Sequence, residues 1–331
     1  MLNNNDLPLP GIERSGWPWD SSIECPSYSD FAADEWPQIT IVTPSFNQGK
    51  YLEETIRSVL LQGYPNLEYY IIDGGSTDNS VEIIRKYAPW ITYWVSEVDE
   101  GQSDAIIKGF SRASGDIINW LNSDDIYLPG ALHAIAKAYH EHPNTIIAAA
   151  VENAMDGMST GEVVQQSGIN LPNLVKYWEK RYRWHQPGLF FPRVAYERTG
   201  GLDRTLLYNM DHDLICRLLQ EKVPVTYLKQ KVVRFRFHGE SKTCSLAEPM
   251  LAELGLVSRR YWDAVSTKDE QEGFPCRELI GTALSHVQDG RIDHAWQEFS
   301  RALKMNTPLA LYFTMVVVYR YFYIKMFWGN K

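Results

Sequence analysis

The stretch Trp120-Leu121-Asn122-Ser123-Asp124-Asp125 is the most informative part of this chain for its fold. In it, an apolar run is followed by two adjacent carboxylates. That run, residues 116–121, has the composition of a buried strand. In open α/β sheets, ligands bind at the carboxyl ends of the strands. Adjacent carboxylates repel each other unless a cation lies between them, and their oxygens suit Mg²⁺ or Mn²⁺. The stretch therefore predicts a divalent cation that holds a diphosphate. Taken alone, it could instead be a loop that caps the helix starting near Pro129.

Strands and helices alternate on both sides of this stretch. Short apolar, β-branched runs predict strands at 39–42, 67–72, 91–95, 116–121 and 145–151. Apolar residues at helical spacing predict helices at 52–60, from Thr77 or Asp78 to Tyr87, at 103–112 and at 129–140. Beyond residue 151 the pattern is less regular, with helices at 171–180 and from Asp211, and a strand at 232–237. The alternation predicts an α/β fold with a mainly parallel sheet flanked by helices.

Three regions of the chain differ in composition. Residues 1–37 form an arm rich in Pro, Ser, Trp and Asp, and the tryptophans of Gly16-Trp17-Pro18-Trp19 favour an arm ordered against the domain over a partly disordered leader. Residues 38–245 carry the α/β pattern, and residues 246–331 are predicted to be helical. The segment 308–328 has too few consecutive uncharged residues to span a bilayer, which takes roughly 20. It is either a buried helix or an interfacial helix in peripheral contact with a membrane.

Composition excludes some classes of partner. The chain has 331 residues, 44% of them hydrophobic, which is ordinary for a globular protein. A net charge of -9 argues against nucleic acid as a partner, since a phosphate backbone requires a basic surface. The four cysteines lie far apart, and the first residues carry no basic segment followed by an apolar one. We therefore expect a reducing, cytoplasmic location without a signal peptide.

Five polar segments follow predicted strands or begin helices, so we expect them to meet in one cleft. Pro44, Ser45 and Asn47 follow the first strand and can hold a base or a ribose. Asp73 follows the second strand, beside glycines that let the backbone approach a ligand. The other three segments are 97–104, which contains Gln102 and Asp104, the pair Asp124 and Asp125, and 209–213. Each segment alone could be a simple turn.

Asp211 begins a predicted amphipathic helix. A carboxylate in a first turn is most often a cap, which the helix dipole stabilises by roughly 0.3–1 kcal/mol. The dipole also favours the ionised carboxylate that a general base requires at neutral pH. Both interpretations of Asp211 stay open on these grounds.

Six segments, in order, resemble the bacterial inverting glycosyltransferases of family 2, which have the GT-A fold. They are Val42-Thr43-Pro44-Ser45-Phe46-Asn47, Ile71-Ile72-Asp73-Gly74-Gly75-Ser76-Thr77-Asp78, Leu121-Asn122-Ser123-Asp124-Asp125, His185-Gln186-Pro187-Gly188, Asp211-His212-Asp213-Leu214 with Arg217, and Phe235-Arg236-Phe237-His238-Gly239-Glu240-Ser241-Lys242-Thr243. The resemblance covers roughly residues 38–245. It implies transfer of a sugar from a nucleotide-diphosphate donor to a glycan or polyprenyl-linked acceptor in surface polysaccharide synthesis, with Mg²⁺ or Mn²⁺.

The resemblance also implies a role for each matching residue. Asp211 would be the general base, and Asp125, Asp124 and His238 would form the metal site. The residues that would bind the nucleotide sugar are Pro44, Ser45, Asn47, Asp73, Gln102, Asp104, Asp124, His185, Gln186, Ser241 and Lys242. Two positions depart from the pattern. Gly74 stands where many members have a second acid, and Asn122 stands where many have Asp.

Two other functions remain as alternatives. A sugar nucleotidyltransferase also needs a nucleotide site and paired acids, but residues 43–50 lack its glycine-rich, basic phosphate loop. A catalytically inactive sugar-binding or scaffold protein on the same fold is opposed by the presence of Asp211, Asp124 and Asp125. A dinucleotide oxidoreductase is disfavoured because no G-x-G-x-x-G follows the first strand. The resemblance and the aromatic tail together predict a cytoplasmic protein at the inner face of the membrane.

Overall fold

The computed structural model describes residues 6–9, 15–19, 36–155, 158–177, 181–239, 247–266, 279–280, 283, 286, 292–305 and 310–311. Its strands are β1 Ile39–Ser45, β2 Leu67–Asp73, β3 Tyr93–Ser96, β4 Ile117–Trp120, β5 Ile126–Tyr127, β6 Ile146–Met155, β7 Met158–Val164, β8 Leu189–Pro192 and β9 Val225–Phe237. Its helices are α1 Leu52–Leu60, α2 Ser80–Tyr87, α3 Gln102–Phe110, α4 Ala131–Glu141, α5 Leu171–Val175, α6 Arg193–Arg198, α7 Met210–Gln220, α8 Ala247–Val265 and α9 Ile292–Met305.

The described strands form one sheet in the order β3-β2-β1-β4-β8-β6-β9-β5, with β7 beside β6. The first four strands are parallel, as predicted, and β1 is the central strand that pairs with both β2 and β4. In the second half, β8 runs antiparallel between β4 and β6, while β6 and β9 are parallel. The predicted α/β class, with a sheet flanked by helices, is confirmed.

Both faces of the sheet are covered by helices. Ile41 and Ile71 belong to one apolar core with residues of α1, α2 and α4. Val42 and Ile72, the next residues along the same strands, belong to a second core with residues of α3, α7 and α8. Because successive side chains of a strand point to opposite faces, a strand covered on both sides is buried along its whole length. This explains why β1 is an uninterrupted buried run.

The structure differs from the predicted elements mainly at their ends. Strand β9 begins at Val225 rather than at the predicted Val232. Its first half is polar and mostly half-exposed or exposed, so the sequence there lacks the apolar run from which the strand was predicted. Strand β5 was not predicted, since it contains only two residues directly after the acid pair. Helix α2 begins at Ser80, and Asp78 accepts a hydrogen bond from the Ser80 N–H at 2.9 Å. Helix α5 has five residues, ending at Val175.

The described parts of the N-terminal arm lie against the α/β domain. Arg57 of α1 is 1% exposed and donates to the carbonyls of Pro18 at 3.2 Å and Pro8 at 2.9 Å. Its guanidinium also lies 5.1 Å from the centre of the Trp19 ring. The indole N–H of Trp17 donates to the Tyr127 carbonyl at 2.7 Å. These contacts agree with an arm ordered against the domain.

The C-terminal region is described in part. Helix α8 packs against α5 and α7, and α9 follows it. Of the segment 308–328, only residues 310–311 are described, so both interpretations of the tail remain predictions.

Among the described helices, none has the length and apolar content needed to cross a membrane.

Replacing Arg57 tests how firmly the arm is held. We expect Arg57→Ala to lower the free energy of unfolding by about 3 kcal/mol, because a hydrogen bond to a charged group contributes about 1.5–3 kcal/mol and several are lost together. Urea unfolding measures this change. The matched control is Arg85→Ala, which removes an exposed arginine from α2. Equal stability of the two variants would show that the contacts of Arg57 with the arm add nothing to the stability of the fold.

Candidate active site

A cleft of about 770 Å³ opens at the carboxyl ends of the parallel strands. Its walls come from the segments that follow β1, β2 and β4, the loop before α3, the start of α7 and the end of β9. The predicted site residues that line it are Pro44, Ser45, Gln102, Asp124, His185, Gln186 and Asp211. The structure therefore brings together side chains that lie far apart in the sequence. Ser241 and Lys242 lie outside the described residues.

Asp73 is placed in the core of the fold rather than on the cleft wall. Its side chain is fully buried and accepts hydrogen bonds from the Ser76 N–H, the Ser76 hydroxyl and the Ser96 hydroxyl, at 2.5–2.9 Å. A carboxylate occupied in this way ties the loop after β2 to the end of β3. This differs from the expected nucleoside contact, because the acceptor oxygens of Asp73 are already used by the protein.

Asn47 and Asp104 also hold loops in place. The Asn47 backbone has a positive φ of 52°, and its side-chain oxygen accepts from the Thr77 N–H at 2.9 Å. Asp104 is 6% exposed, and its carboxylate lies within 3.2 Å of Lys108 and 3.5 Å of Arg204. These cations and the Glu100 N–H hold its pKa below the usual range despite its burial. Neither residue lines the cleft, in contrast to the predicted contacts with the nucleotide sugar.

The two acids after β4 differ in their surroundings. Asp124 lines the cleft, and its Oδ2 lies 2.9 Å from Nε2 of the buried His238. Asp125 points away from the cleft and is 1% exposed. Its Oδ1 accepts from the Arg236 N–H at 2.9 Å, and burial, together with the charge of Asp124, raises its pKa. The resemblance implied a metal site of Asp125, Asp124 and His238, and of these three residues Asp124 lines the cleft.

Asp211 lies at the start of α7, half-buried in the cleft wall. Its Oδ1 accepts from the His212 N–H at 2.7 Å. Burial raises the pKa of Asp211 to about 6, and the charge of Glu253 adds to this rise, while backbone hydrogen bonds oppose it. The carboxylate is therefore ionised at neutral pH and basic enough to accept a proton from a ligand.

His185 and Gln186, two further predicted site residues, also line the cleft. The His185 ring stacks on Phe235 at 4.8 Å, and burial lowers its pKa, so the ring is neutral at pH 7. The Gln186 amide nitrogen donates to the Asn119 side chain and the Trp120 carbonyl, each at 3.0 Å. Gln186 Oε1 is buried without a hydrogen-bond partner among the described residues, so it is available to a ligand hydroxyl.

Asp99 is a cleft residue that was not among the predicted contacts. It lines the cleft beside Gly74, where a Cβ atom would lie 2.7 Å from Asp99 Oδ2. The space that a larger residue would take at position 74 is thus filled by the Asp99 carboxylate. Burial raises the pKa of Asp99, opposed by the Gly101 N–H and Lys108. The polar composition of residues 97–104 indicated that this loop contributes to the site, but the sequence does not show which of its acids faces the cleft.

Arg236 and several apolar residues complete the lining. The Arg236 guanidinium bonds Glu54 at 3.0 Å and lies 4.8 Å from the Tyr51 ring centre. Phe46, Val98 and Leu207 also line the cleft and are more than half exposed. Trp184, Tyr208 and Met250 line it as well. Only their position in the fold identifies these residues, because isolated apolar side chains carry no sequence signal.

The donor set fits a metal ion that is shared with an anionic ligand. In the described part of the chain, no group of three or more His, Cys, Asp and Glu side chains is arranged to hold a metal. Asp124 lines the cleft with the buried His238 at 2.9 Å from its carboxylate, and Mg²⁺ is usually bound by one or two carboxylates together with substrate phosphates and water. Among the described lining residues, Asp99, Asp124 and Asp211 outnumber the cation Arg236. A diphosphate in this cleft requires added positive charge.

Part of the chain matches a known protein family. Residues 40–198 match the family described as Glycosyl transferase family 2. An uncharacterized glycosyltransferase of Rickettsia felis is 26% identical over 211 residues, 62% of this chain and 35% of that protein. One of Mycobacterium tuberculosis is 40% identical over 90 residues, 27% of this chain and 34% of that protein. The chain spans about a third of the length of these relatives.

Solved structures share the fold. S. aureus TarS 1-349 in complex with UDP-GlcNAc has a TM-score of 0.55 at 12% identity, covering 81% of this chain and 91% of that chain. The mannosyltransferase PcManGT from Pyrobaculum calidifontis, in complex with GDP-Man and Mn²⁺, has a TM-score of 0.53 at 17% identity, covering 91% of each chain. At these identities, the likeness shows a common fold, which is the GT-A-like fold expected from the sequence.

A substitution at Asp73 separates a structural role from a ligand contact. We expect Asp73→Asn to lower the free energy of unfolding by about 1–3 kcal/mol, because an amide nitrogen would face hydroxyl and N–H donors in the core. Urea unfolding of the variant and of the exposed control Glu82→Gln on α2 measures the effect. Unchanged stability, with loss of nucleotide binding, would instead support the ligand contact predicted from sequence.

Proposed function

Because the chain carries a glycosyltransferase family 2 domain, we propose that it transfers a sugar from a nucleotide-diphosphate donor to an acceptor hydroxyl, with inversion at the anomeric carbon. The supporting observation is that one cleft is lined both by Asp124, which contacts the buried His238, and by the half-buried Asp211. The pair can help hold a diphosphate, and Asp211 can take a proton from the acceptor. Direct displacement needs both functions around the same carbon.

The nucleoside is proposed to bind near the ends of β1 and β2. Pro44, Ser45 and Gln102 line this part of the cleft, and Gln102 donates to the Asn122 side chain at 2.7 Å. The Asp99 carboxylate beside Gly74 can accept a hydrogen bond from a base N–H. Asp73 supports this region from behind through Ser76 and Ser96. The uridine and guanosine diphosphate sugars of the structural neighbours are the first donors to test.

The diphosphate is proposed to share a Mg²⁺ or Mn²⁺ ion with Asp124 and His238. When bound beside Asp124, such an ion would supply positive charge that stabilises the leaving diphosphate. Asp125 holds the strand beneath this pair by accepting the Arg236 N–H, so it supports the site without facing it. Arg236 also lines the cleft, but its guanidinium is paired with Glu54, so a diphosphate would depend on the ion for positive charge.

Asp211 is proposed to be the general base. Its carboxylate accepts the proton of the acceptor hydroxyl as that oxygen attacks the anomeric carbon and the bond to the diphosphate breaks. A single attack with no enzyme nucleophile inverts the configuration. Trp184, Tyr208 and Met250 line the same cleft and offer apolar surfaces for an acceptor sugar. A glycan or polyprenyl-linked acceptor at the inner membrane face, within surface polysaccharide synthesis, is part of this proposal.

Three variants distinguish the proposed metal ligand, the supporting acid and the general base. Donor binding is measured by calorimetry, once with Mn²⁺ and once with a chelator. We expect Asp124→Asn to weaken metal-dependent donor binding by more than about tenfold, since even the loss of a partner behind a metal ligand costs 10–100-fold in metal affinity. Asp125→Asn keeps its acceptor oxygen and should retain metal-dependent binding. The reverse result would assign the metal to Asp125, the other acid of the predicted metal site.

The third variant tests the base. We expect Asp211→Asn to retain donor binding and to lower the turnover number by about 100- to 10,000-fold, the usual contribution of a general base. Product formation from the donor that binds measures this loss. If Asp211→Asn remains fully active, the base is another residue. A folded wild-type protein that binds no donor in the panel would favour the scaffold alternative.

The activity should also depend on pH through Asp211. The raised pKa of about 6 means that the basic form predominates above this pH, so turnover should fall as the pH falls through about 6. The groups that face this carboxyl are Glu253 from α8, Tyr182 from the segment before β8, and the neighbouring His212. A pH profile of kcat measures the fall. A flat profile between pH 5 and 7 would contradict the assignment.

A further inference from the structure

Glu253, in the helical region beyond the matched family segment, holds the loop that leads into the base-bearing helix α7. Its Oε1 accepts from the Leu207 N–H, and its Oε2 accepts from the Tyr208 and Asn209 N–H groups, each at 2.7 Å. The Asn209 side chain adds a hydrogen bond to the Met250 carbonyl at 2.8 Å. One carboxylate therefore fixes three consecutive backbone donors directly before α7.

This contact lies at the place where α7 begins. Asn209 immediately precedes Met210, the first residue of α7, and Asp211 is the second. The first N–H groups of a helix have no partner within the helix, and a negative charge beside them is favourable. Leu207 is 54% exposed, so little apolar packing holds its side chain. Within residues 207–209, the backbone N–H groups are held by Glu253, whereas the buried Leu206 before them is held by the Ser103 hydroxyl.

A second contact joins α8 to α7 on the other side of Asp211. Asp213 is 1% exposed and accepts from the Tyr261 hydroxyl at 2.8 Å and from Arg260 at 3.1 Å. Asp213 also pairs with Arg217 of its own helix at 2.8 Å. Helix α8 consequently contacts α7 both before and after the residue that faces the cleft. The two contacts fix α7 against rotation and sliding on α8.

We propose that Glu253 is a positioning residue for Asp211, which makes α8 a functional part of the active site. Glu253 acts through Asp211 and does not contact the reacting atoms. The inference rests on the proposed function, in which Asp211 is the base. It extends the site beyond the segments that resemble the family, into a helix whose role the sequence left open among a lid, an acceptor platform and a dimer interface.

The test compares Glu253→Ala and Glu253→Gln with the control Asp263→Asn, an exposed acid on the same helix. We expect Glu253→Ala to lower kcat by about 10- to 100-fold, because a displacement of about 1 Å at a catalytic group can cost 100-fold. The KM for the donor should stay near the wild-type value, since the donor residues lie on other elements. Glu253→Gln keeps one acceptor oxygen and should lose less.

The pH profile gives a readout that a purely structural role would not change. The negative charge of Glu253 raises the pKa of Asp211, so its removal in Glu253→Gln should move the acidic limb of kcat to lower pH. Tyr182 and His212, the other groups near Asp211, are unchanged in this variant. Asp263→Asn should leave the limb where it is.

A double-mutant cycle completes the test. If Glu253 acts through Asp211, adding Glu253→Gln to Asp211→Asn should lower kcat no further. Wild-type kcat and an unmoved acidic limb in a folded Glu253→Gln variant would overturn the proposal, as would full additivity in the cycle. Failure of the underlying function looks different, because Asp211→Asn itself would then keep its turnover. Thermal melts of each variant show that it is folded.

Discussion

The parallel pairing of β1 with both β2 and β4 is the constraint on which the rest of the site depends. Ser45 lies opposite Asp73 in one pairing, and Val42 lies opposite Trp120 in the other. Since all three strands run in the same direction, the segments that follow them emerge at one edge of the sheet. A shift of one residue in either pairing would turn the buried side chains of a strand to the other face. The apolar residues on both faces of β1 thus fix the position of the cleft.

Electrostatics divides the acids of this edge into two kinds. Asp73 and Asp104 have their oxygens occupied by the protein, and they hold loops in place. Asp99, Asp124 and Asp211 reach the cleft, where burial of Asp99 and Asp211 raises the pKa of each. A carboxylate whose oxygens accept hydrogen bonds from neighbouring groups makes the loop around it rigid. A buried carboxylate with few such donors instead favours binding of a cation or a proton. The same residue type therefore holds the loops in place and performs the proposed chemistry.

Much of the fold could be predicted from the sequence, and about half of the candidate site. Helix α1 and strands β1 and β2 have clear apolar periods, so their positions were predicted to within three residues. Pro44, Asp124 and Asp211 were found because they directly follow or begin such elements. Asp73 and Asp125 were placed in the ligand site because the sequence does not reveal which neighbours satisfy a carboxylate. Glu253 contacts a loop more than 40 residues away, and no local pattern could indicate it.

The arm contacts have a consequence for the order in which the chain can assemble during synthesis. Trp17 donates to the carbonyl of a residue 110 positions later in the chain. Arg57 joins Pro8 and Pro18 to α1, but its partner Tyr87 lies a further 30 positions on. During synthesis, the contacts of Pro8, Trp17 and Pro18 are therefore complete only after β5 has emerged from the ribosome. The N-terminal arm thus completes its contacts only after the parallel strands β1 to β4 have been synthesised.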